Sequence, residues 1–249
     1  MKFYKYQALS NDFVIADNVE KEENLSGIAR LFCDRKKGIG ADGLILGSPD
    51  FKSMRIFNSD GSEAKMCGNG VRCFALHVLR STGMFPASVM TAAGEIELRL
   101  ERRQPFCCAA NLGKPVFSEY DVADNHGKKI LAATVNTGTP HVVMFDCEAL
   151  VAESVWERLQ ESCNVDCVRL KAKNEMKIVT FERGAGRTAA CGTGAAAAFV
   201  AAKWFGLADG RCVVNSDGGS TDVFEKDGDV WISGEAHFVY DGNFRLGND

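Results

Sequence analysis

The sequence predicts an α+β protein with two pseudo-symmetric halves, each a mostly antiparallel sheet wrapped around a central helix. The chain has 249 residues, of which 46% are apolar, and this suffices for two small domains with a core each. Many short apolar runs are separated by glycine turns, which favours antiparallel sheets over a doubly wound parallel sheet. One strand–loop–helix unit also occurs twice, and such internal similarity indicates duplicated halves.

The two copies of this unit span Met54–Arg80 and Met176–Gly206. Each reads as an apolar strand, a polar loop with glycine, a Cys-Gly-x-Gly turn and a helix. The cysteines of the two turns, Cys67 and Cys191, are 124 residues apart, about half of the chain. Because the same residue type recurs at the same place, we expect the two copies to have the same local structure.

The remaining elements follow from local patterns. Within the repeated units, strands are predicted at Met54–Phe57 and Ile178–Phe181, and each ends at a polar residue nine positions before its cysteine, Asn58 or Glu182. Further strands are predicted at Phe13–Ala16, Glu95–Leu100, Val135–Asn136, His141–Phe145, Val213–Val214, Asp229–Ile232 and Ala236–Tyr240. Further helices are predicted at Leu25–Cys33 and Ala149–Gln160.

The joint between the halves is expected near Asn111–Pro115, where glycine and proline interrupt the pattern. This gives a first domain of residues 1–112 that carries Cys67 and a second of residues 113–239 that carries Cys191. The tail from about 240 to 249 is expected to pack back on the first domain.

Charge and composition exclude several classes of function. With 29 basic and 33 acidic residues the net charge is −4, and the chain has no basic run that would suit nucleic acid or an anionic membrane. No apolar run reaches the length of a membrane span, and the N-terminus lacks a secretory signal pattern. We therefore expect a cytoplasmic protein with reduced thiols. The cysteine and histidine spacing predicts no metal site.

A cysteine at a helix N-terminus lies beside free backbone N–H groups and at the positive end of the helix dipole. Both features stabilise a thiolate, and the same N–H groups bind carboxylates. A single turn of this kind is also typical of an ordinary helix cap. Two copies favour a chemistry that needs two equivalent thiols, namely stereoinversion at a carbon next to a carboxylate. One thiolate removes the proton and the opposite thiol returns one to the other face. No lysine is singled out for a pyridoxal Schiff base, so we expect no cofactor.

These residues resemble the diaminopimelate epimerase family of pyridoxal-phosphate-independent amino-acid racemases. The resemblance runs nearly end to end, and its longest blocks are FNSDGSEAKMCGNGVRCFA at Phe57–Ala75 and ERGAGRTAACGTGAAAA at Glu182–Ala198. It implies an active site in a cleft between two similar domains, a homodimer, and epimerisation of LL-2,6-diaminopimelate to the meso form for lysine and peptidoglycan synthesis.

The resemblance also implies the roles of site residues. Cys67 and Cys191 match the acid–base pair, while His141 and Glu182 match the groups that assist the first and the second cysteine respectively. The carboxylate at the reacting carbon would bind at the turns, and the distal end of the substrate would bind a set of polar side chains. The matching turn residues are Gly68, Asn69, Gly192 and Thr193, and the matching distal residues are Asn11, Asn58, Asn164, Glu182 and Arg183.

The chain departs from the family pattern at three places. Thr139 stands where many members have an asparagine that binds the distal end, Ser10 replaces a common glycine, and Ala41–Gly43 lacks a glutamine that some members have. These departures concern which amino acid is bound. A racemase for another amino acid therefore stays open, as does a non-catalytic carboxylate-binding or redox-sensing protein whose two thiols oxidise to a disulfide.

The other thiols and imidazoles have structural interpretations. Cys73 is expected to be packed on its helix, and His77 and His126 are expected at the surface. The remaining cysteines are expected in the core or at the surface without a chemical role; they are Cys33, Cys107, Cys108, Cys147, Cys163, Cys167 and Cys212.

Overall fold

A computed structural model describes residues 1–17, 24–119, 122–123 and 129–245. It confirms the mixed α+β class. The chain forms two compact units, one of Met1–Ala110 with Gly234–Asp249 and one of Asn111–Ser233. The first unit takes up the chain again at residue 234, where the sequence suggested about 240, because the last strand pairs along the first from His237 onward.

The helices are α1 (Leu25–Cys33), α2 (Gly68–Thr82), α3 (Ala149–Leu159) and α4 (Gly192–Trp204). The first ten strands are β1 (Lys2–Ala8), β2 (Asn11–Asp17), β3 (Gly43–Gly47), β4 (Met54–Asn58), β5 (Glu63–Ala64), β6 (Ser88–Thr91), β7 (Gly94–Arg102), β8 (Cys107–Asn111), β9 (Val116–Glu119) and β10 (Val122–Ala123). The others are β11 (Lys129–Ile130), β12 (Ala132–Asn136), β13 (Pro140–Phe145), β14 (Asn164–Ala172), β15 (Glu175–Glu182), β16 (Gly186–Thr188), β17 (Cys212–Ser216), β18 (Gly219–Lys226), β19 (Asp229–Glu235) and β20 (His237–Asn243).

The first unit contains a six-stranded sheet of order β20-β1-β2-β3-β4-β5 and the neighbouring strands β6-β7-β8. Only β2 and β3 pair in parallel, and the other pairs in this sheet are antiparallel. Helix α2 packs on β1, β2, β3 and β20, and it is buried from Gly68 to Val78. Helix α1 belongs to a hydrophobic core of this unit in which its Phe32 packs with Leu44 and Leu46.

The second unit has strands in the order β19-β18-β17-β15-β14-β13-β12-β9, with β16 pairing to β15. The pairs β13–β14 and β15–β17 are parallel, and the others in this row are antiparallel. Helix α4 packs against β12, β13, β14 and β18. Its alanine-rich sequence permits this close approach, since Ala195 to Ala198 are all buried. Helix α3 packs on β14 and β15.

Most element predictions are confirmed. Helix α1 has the predicted bounds, and α2 and α4 begin directly after Cys67 and Cys191. Each predicted strand lies within an observed strand, except that β20 begins one residue after Ala236. The described part of the chain contains no helix that is long and apolar enough to cross a membrane.

The surface position predicted for His77 is wrong. Its side chain is fully buried on α2, where its Nδ1 lies 3.1 Å from the hydroxyl of Tyr6 and its ring contacts Tyr4 and Phe74. The prediction assumed that α2 has a solvent face at this position, but strands and loops cover the helix there. His126 lies outside the described residues.

Candidate active site

Cys67 and Cys191 have the same local geometry. Each is the N-cap of its helix, with extended backbone angles of φ −144° and ψ 119° at Cys67 and φ −128° and ψ 117° at Cys191. In both turns the cysteine carbonyl accepts the first helical hydrogen bond, from Val71 at 2.9 Å and from Ala195 at 3.0 Å. Both thiols therefore lie where free N–H groups and the helix dipole favour negative charge.

The glycine three residues after each cysteine faces a different environment in the two units. A Cβ at Gly70 would meet the Cδ1 atoms of Ile45 and Ile56 at 3.3 and 3.4 Å. A Cβ at Gly194 would meet Asp166 Oδ1 at 2.7 Å, and also a threonine hydroxyl and an imidazole. The two turns are therefore alike in backbone but rest on apolar methyl groups in one unit and on polar side chains in the other.

Beneath α4, polar side chains on adjacent strands form a buried hydrogen-bonded network. His141 on β13 and Asp166 on β14 are both fully buried, and His141 Nδ1 lies 2.7 Å from Asp166 Oδ2. The other oxygen of Asp166 accepts from the hydroxyl of Thr180 at 2.7 Å. On its other side, His141 Nε2 lies 3.0 Å from Thr193 Oγ1, which is 3.3 Å from Cys191 Sγ.

Several neighbours act on the pKa of the Cys191 thiol. Burial raises this pKa well above its ordinary value, and the charges of Glu182 and Asp166 raise it further. The Thr193 hydroxyl and the backbone N–H of Gly194 act in the opposite direction. The net effect is a raised pKa, so burial outweighs the helix N-terminus at this thiol.

Three polar residues of the second unit differ in how exposed they are to solvent. Asn164 is 3% exposed, and protein groups use both ends of its amide: Oδ1 accepts from the backbone N–H of Arg183 at 2.8 Å, and Nδ2 lies 3.3 Å from His141 Nε2. The Arg183 side chain is exposed. Glu182 is half-buried and accepts a 2.6 Å hydrogen bond from Thr188.

In the first unit, Asn69 is buried in the first turn of α2, where its side-chain oxygen accepts from Arg72. Asn11 follows the turn after β1, and its buried Oδ1 has no hydrogen-bond partner among the described residues. Asn58 is exposed at the end of β4 and donates to Ser62 at 2.9 Å. Of these three asparagines, Asn11 thus offers an unused buried acceptor.

Asn11 is held in place by its neighbour Asp12. The Asp12 carboxylate pairs with Lys5 at 2.6 Å and with Arg35 at 2.8 Å. Burial alone would raise the pKa of Asp12, but its hydrogen bonds to Arg35 and Lys5 hold that pKa well below its usual range. The charged cluster fixes the start of β2, and with it the backbone that carries Asn11.

Several residues of this region were missed by sequence reasoning. Asp166, Thr180 and Thr137 belong to the network beneath α4, and Thr137 donates to the carbonyl of Thr193 at 3.0 Å. Arg72 is fully buried beside Asn69 in the first unit. One signal was available in the sequence, an aspartate between Val165 and Cys167, because a charge buried in a strand needs specific partners.

The chain matches a family described as diaminopimelate epimerase over residues 3–118 and 133–239. A diaminopimelate epimerase of Microcystis aeruginosa is 36% identical over 98% of this chain and 99% of the relative. One of Carboxydothermus hydrogenoformans is 35% identical over 99% of this chain and 100% of the relative. A phenazine biosynthesis protein of Bacillus anthracis has a similar structure, with a TM-score of 0.72 at 17% identity over 99% of each chain, which extends the likeness in fold alone.

Proposed function

Because the chain belongs to the diaminopimelate epimerase family, we propose that it converts LL-2,6-diaminopimelate to the meso isomer by inverting one α-carbon. The observation that carries the proposal is the equivalent placement of Cys67 and Cys191 as N-caps of α2 and α4. Inversion requires one group to remove the α-proton and another to return a proton to the opposite face.

The proposed mechanism uses the two thiols in different protonation states. The raised pKa of Cys191 suits it to start as the acid, and we assign the base of that direction to Cys67, because inversion needs a second group on the opposite face. The Cα–H bond breaks as its proton moves to Cys67 Sγ, and the Cys191 S–H proton then bonds to the opposite face of the carbon. In the reverse direction the roles exchange. Both thiols must reach the same carbon during the reaction and both must be reduced.

The charge that develops during proton removal is stabilised electrostatically. It spreads into the carboxylate at the reacting carbon, which we place at the free N–H groups of Gly68-Asn69 and Gly192-Thr193. Fixed backbone dipoles need no reorganisation when the charge appears, and this supplies what a pyridoxal ring supplies in other racemases. We accordingly propose a cofactor-independent reaction.

The distal end of the substrate carries an ammonium and a carboxylate. Arg183 suits the carboxylate, because its planar guanidinium can donate two parallel hydrogen bonds. The unused acceptor Asn11 Oδ1 suits the ammonium, and Asn58 and Glu182 complete the set. Asn164 acts in this set through the backbone of Arg183, to which it is hydrogen bonded. We further propose a cytoplasmic homodimer that serves lysine and peptidoglycan biosynthesis.

A racemase for a different amino acid is the second candidate, and Thr139 is the observation that favours it. This half-buried residue replaces an amide by a hydroxyl, which offers fewer hydrogen bonds to a distal polar group. A substrate with a smaller or less polar distal end would suit the change.

The test is exchange of the α-proton in D₂O with reductant present. We expect LL-diaminopimelate to take up deuterium and give the meso product, and Cys67→Ala and Cys191→Ala to abolish this. Cys163→Ala, at a half-buried cysteine outside the turns, is the matched control and should keep activity. Exchange with another amino acid alone would select the second candidate. Full activity in either turn variant would refute the two-thiol mechanism.

A further inference from the structure

We propose that Asp166 is a positioning residue that holds His141 with its Nδ1 proton toward the carboxylate and stabilises its imidazolium, so that His141 accepts the proton of Cys191 through the hydroxyl of Thr193. The inference deepens the proposed function and rests on it, because the proton concerned is the one that Cys191 exchanges with the substrate. The family resemblance pairs His141 with Cys67. Within the second unit, hydrogen bonds through Thr193 connect His141 to Cys191.

The first argument for the tautomer comes from Asp166. An ionised carboxylate can only accept hydrogen bonds, so the 2.7 Å contact between Asp166 Oδ2 and His141 Nδ1 requires a proton on Nδ1. The second oxygen of Asp166 accepts from Thr180 at 2.7 Å, which prevents the carboxylate from turning away. Both residues are fully buried, so water does not compete for the contact.

An independent argument comes from Asn164. Its Oδ1 accepts from the backbone N–H of Arg183 at 2.8 Å, so its NH₂ group must be the end that faces His141 Nε2 at 3.3 Å. An NH₂ group only donates. His141 Nε2 therefore carries a lone pair and no proton, in agreement with a proton on Nδ1.

Thr193 links this lone pair to the thiol. Its hydroxyl donates to His141 Nε2 at 3.0 Å, and its oxygen then accepts from Cys191 S–H at 3.3 Å. In the proposed step the thiol proton bonds to Thr193 Oγ as the hydroxyl proton bonds to Nε2. The products are a Cys191 thiolate and an imidazolium, and no co-reactant is consumed. The negative charge of Asp166 stabilises the imidazolium.

The relay is held rigidly against the start of α4. Thr137 donates to the carbonyl of Thr193 at 3.0 Å and so fixes the residue that carries the bridging hydroxyl. Gly194 lies directly on the network, where a Cβ would be 2.7 Å from Asp166 Oδ1 and 3.3 Å from His141 Cε1. The absence of a side chain at Gly194 therefore lets the N-terminus of α4 contact Asp166, Thr180 and His141 directly.

The decisive measurement is the tautomer of His141 in the full chain, read from imidazole ¹⁵N shifts and assigned with His141→Gln. We expect a proton on Nδ1. In Asp166→Asn, Asn164 still donates to Nε2 and the proton stays on Nδ1, but the neutral amide no longer stabilises the imidazolium, so alkylation of Cys191 by iodoacetamide should slow about 10-fold or more. By analogy with other enzymes that lose the carboxylate behind a histidine, kcat should fall about 10²- to 10⁴-fold.

The bridging hydroxyl is tested by alkylation of Cys191 with iodoacetamide, followed by peptide mass spectrometry. Thr193→Val should slow alkylation about 10-fold or more, because the thiol loses its proton acceptor. Thr193→Ser should restore the rate. Thr134→Val, which removes a hydroxyl on β12 outside the relay, is the matched control and should alkylate as the native chain does.

Three results would overturn the inference: an Nε2–H tautomer in the native chain, native alkylation of Cys191 in Asp166→Asn, or native alkylation in Thr193→Val. A wrong proposed function would give a different result. In that case the native chain exchanges no α-proton of any amino acid, while the tautomer and alkylation results still decide whether the relay exists.

Discussion

Replacing Gly194 by alanine should destabilise the protein, although alanine is the better helix former. Gly194 and Gly70 are both the third residue of their helices, α4 and α2. The same substitution at both positions therefore gains the same helix propensity, about 1 kcal/mol. Any difference between the two variants measures what each new Cβ meets.

The structure gives the magnitude of that difference. At Gly194 the Cβ would lie 2.7 Å from Asp166 Oδ1 and 3.2 Å from Thr180 Oγ1, closer than atoms pack. Overpacking costs about 1–3 kcal/mol, and weakening a buried hydrogen bond to a charged group costs about 1.5–3 kcal/mol. After the propensity gain, Gly194→Ala should lose roughly 1.5–5 kcal/mol. At Gly70 the contacts are methyl ends that can shift, so its net effect should stay within about 1 kcal/mol of zero.

Equilibrium unfolding in urea measures both variants against the native chain. We expect Gly194→Ala to be the less stable variant by at least about 0.5 kcal/mol. The matched design removes helix propensity and unfolded-chain entropy from the comparison. Equal midpoints and slopes for the two variants would refute the proposed contact between Gly194 and the buried network.

Three further outcomes are expected. Asp12→Asn should lower the free energy of unfolding by about 2 kcal/mol at pH 7 and by progressively less as pH falls below about 4. The reason is that the lowered pKa of Asp12 gives stability that exists only while the group is ionised. Urea unfolding at pH 7 and pH 3 tests this, and an equal loss at both pH values would contradict it. Glutathione disulfide should join Cys147 and Cys167, whose sulfurs lie 3.0 Å apart, with loss of two hydrogens by mass spectrometry; Cys147→Ser should block the change, and an unchanged native mass would contradict the prediction. Gly234→Ala should lower the melting temperature, because its Cβ would clash with Arg72 Nη1. Adding Arg72→Lys should make the combined loss smaller than the sum, and simple additivity would show that the two do not touch.

The parts of the fold that sequence predicted well are those with strong local signals. The start of α2 and α4 after Cys67 and Cys191 follows from glycine turns that lead into apolar or alanine-rich runs. The roles expected for these cysteines rest on the same local pattern. Helix α1 was predicted to the residue because Asn24 and the apolar spacing mark it; the Asn24 side chain accepts from the backbone of Gly27.

What sequence could not supply depends on partners that are distant along the chain. Strand β14 was not predicted, because its first five residues are all buried although two of them, Asn164 and Asp166, are polar, and sequence polarity does not reveal such burial. Asp166 lies in this strand, and its importance appears only when parallel pairing of β13 and β14 brings it beside His141, 25 residues earlier. The surface position predicted for His77 was wrong for a related reason, because the burial of α2 is set by strands that are distant along the chain.

The N-termini of α2 and α4 pack on residues of different chemistry, and this affects how the chain can change over evolutionary time. Under α2, the contacts of Gly70 are with Ile45 and Ile56, and apolar side chains of similar volume can replace one another singly at small cost. Under α4, the residues exchange hydrogen bonds, so replacing any one leaves a buried polar group unpaired. The two halves therefore tolerate substitution differently. Residues beneath α2 can be replaced one at a time, whereas those beneath α4 can be replaced only by coordinated changes.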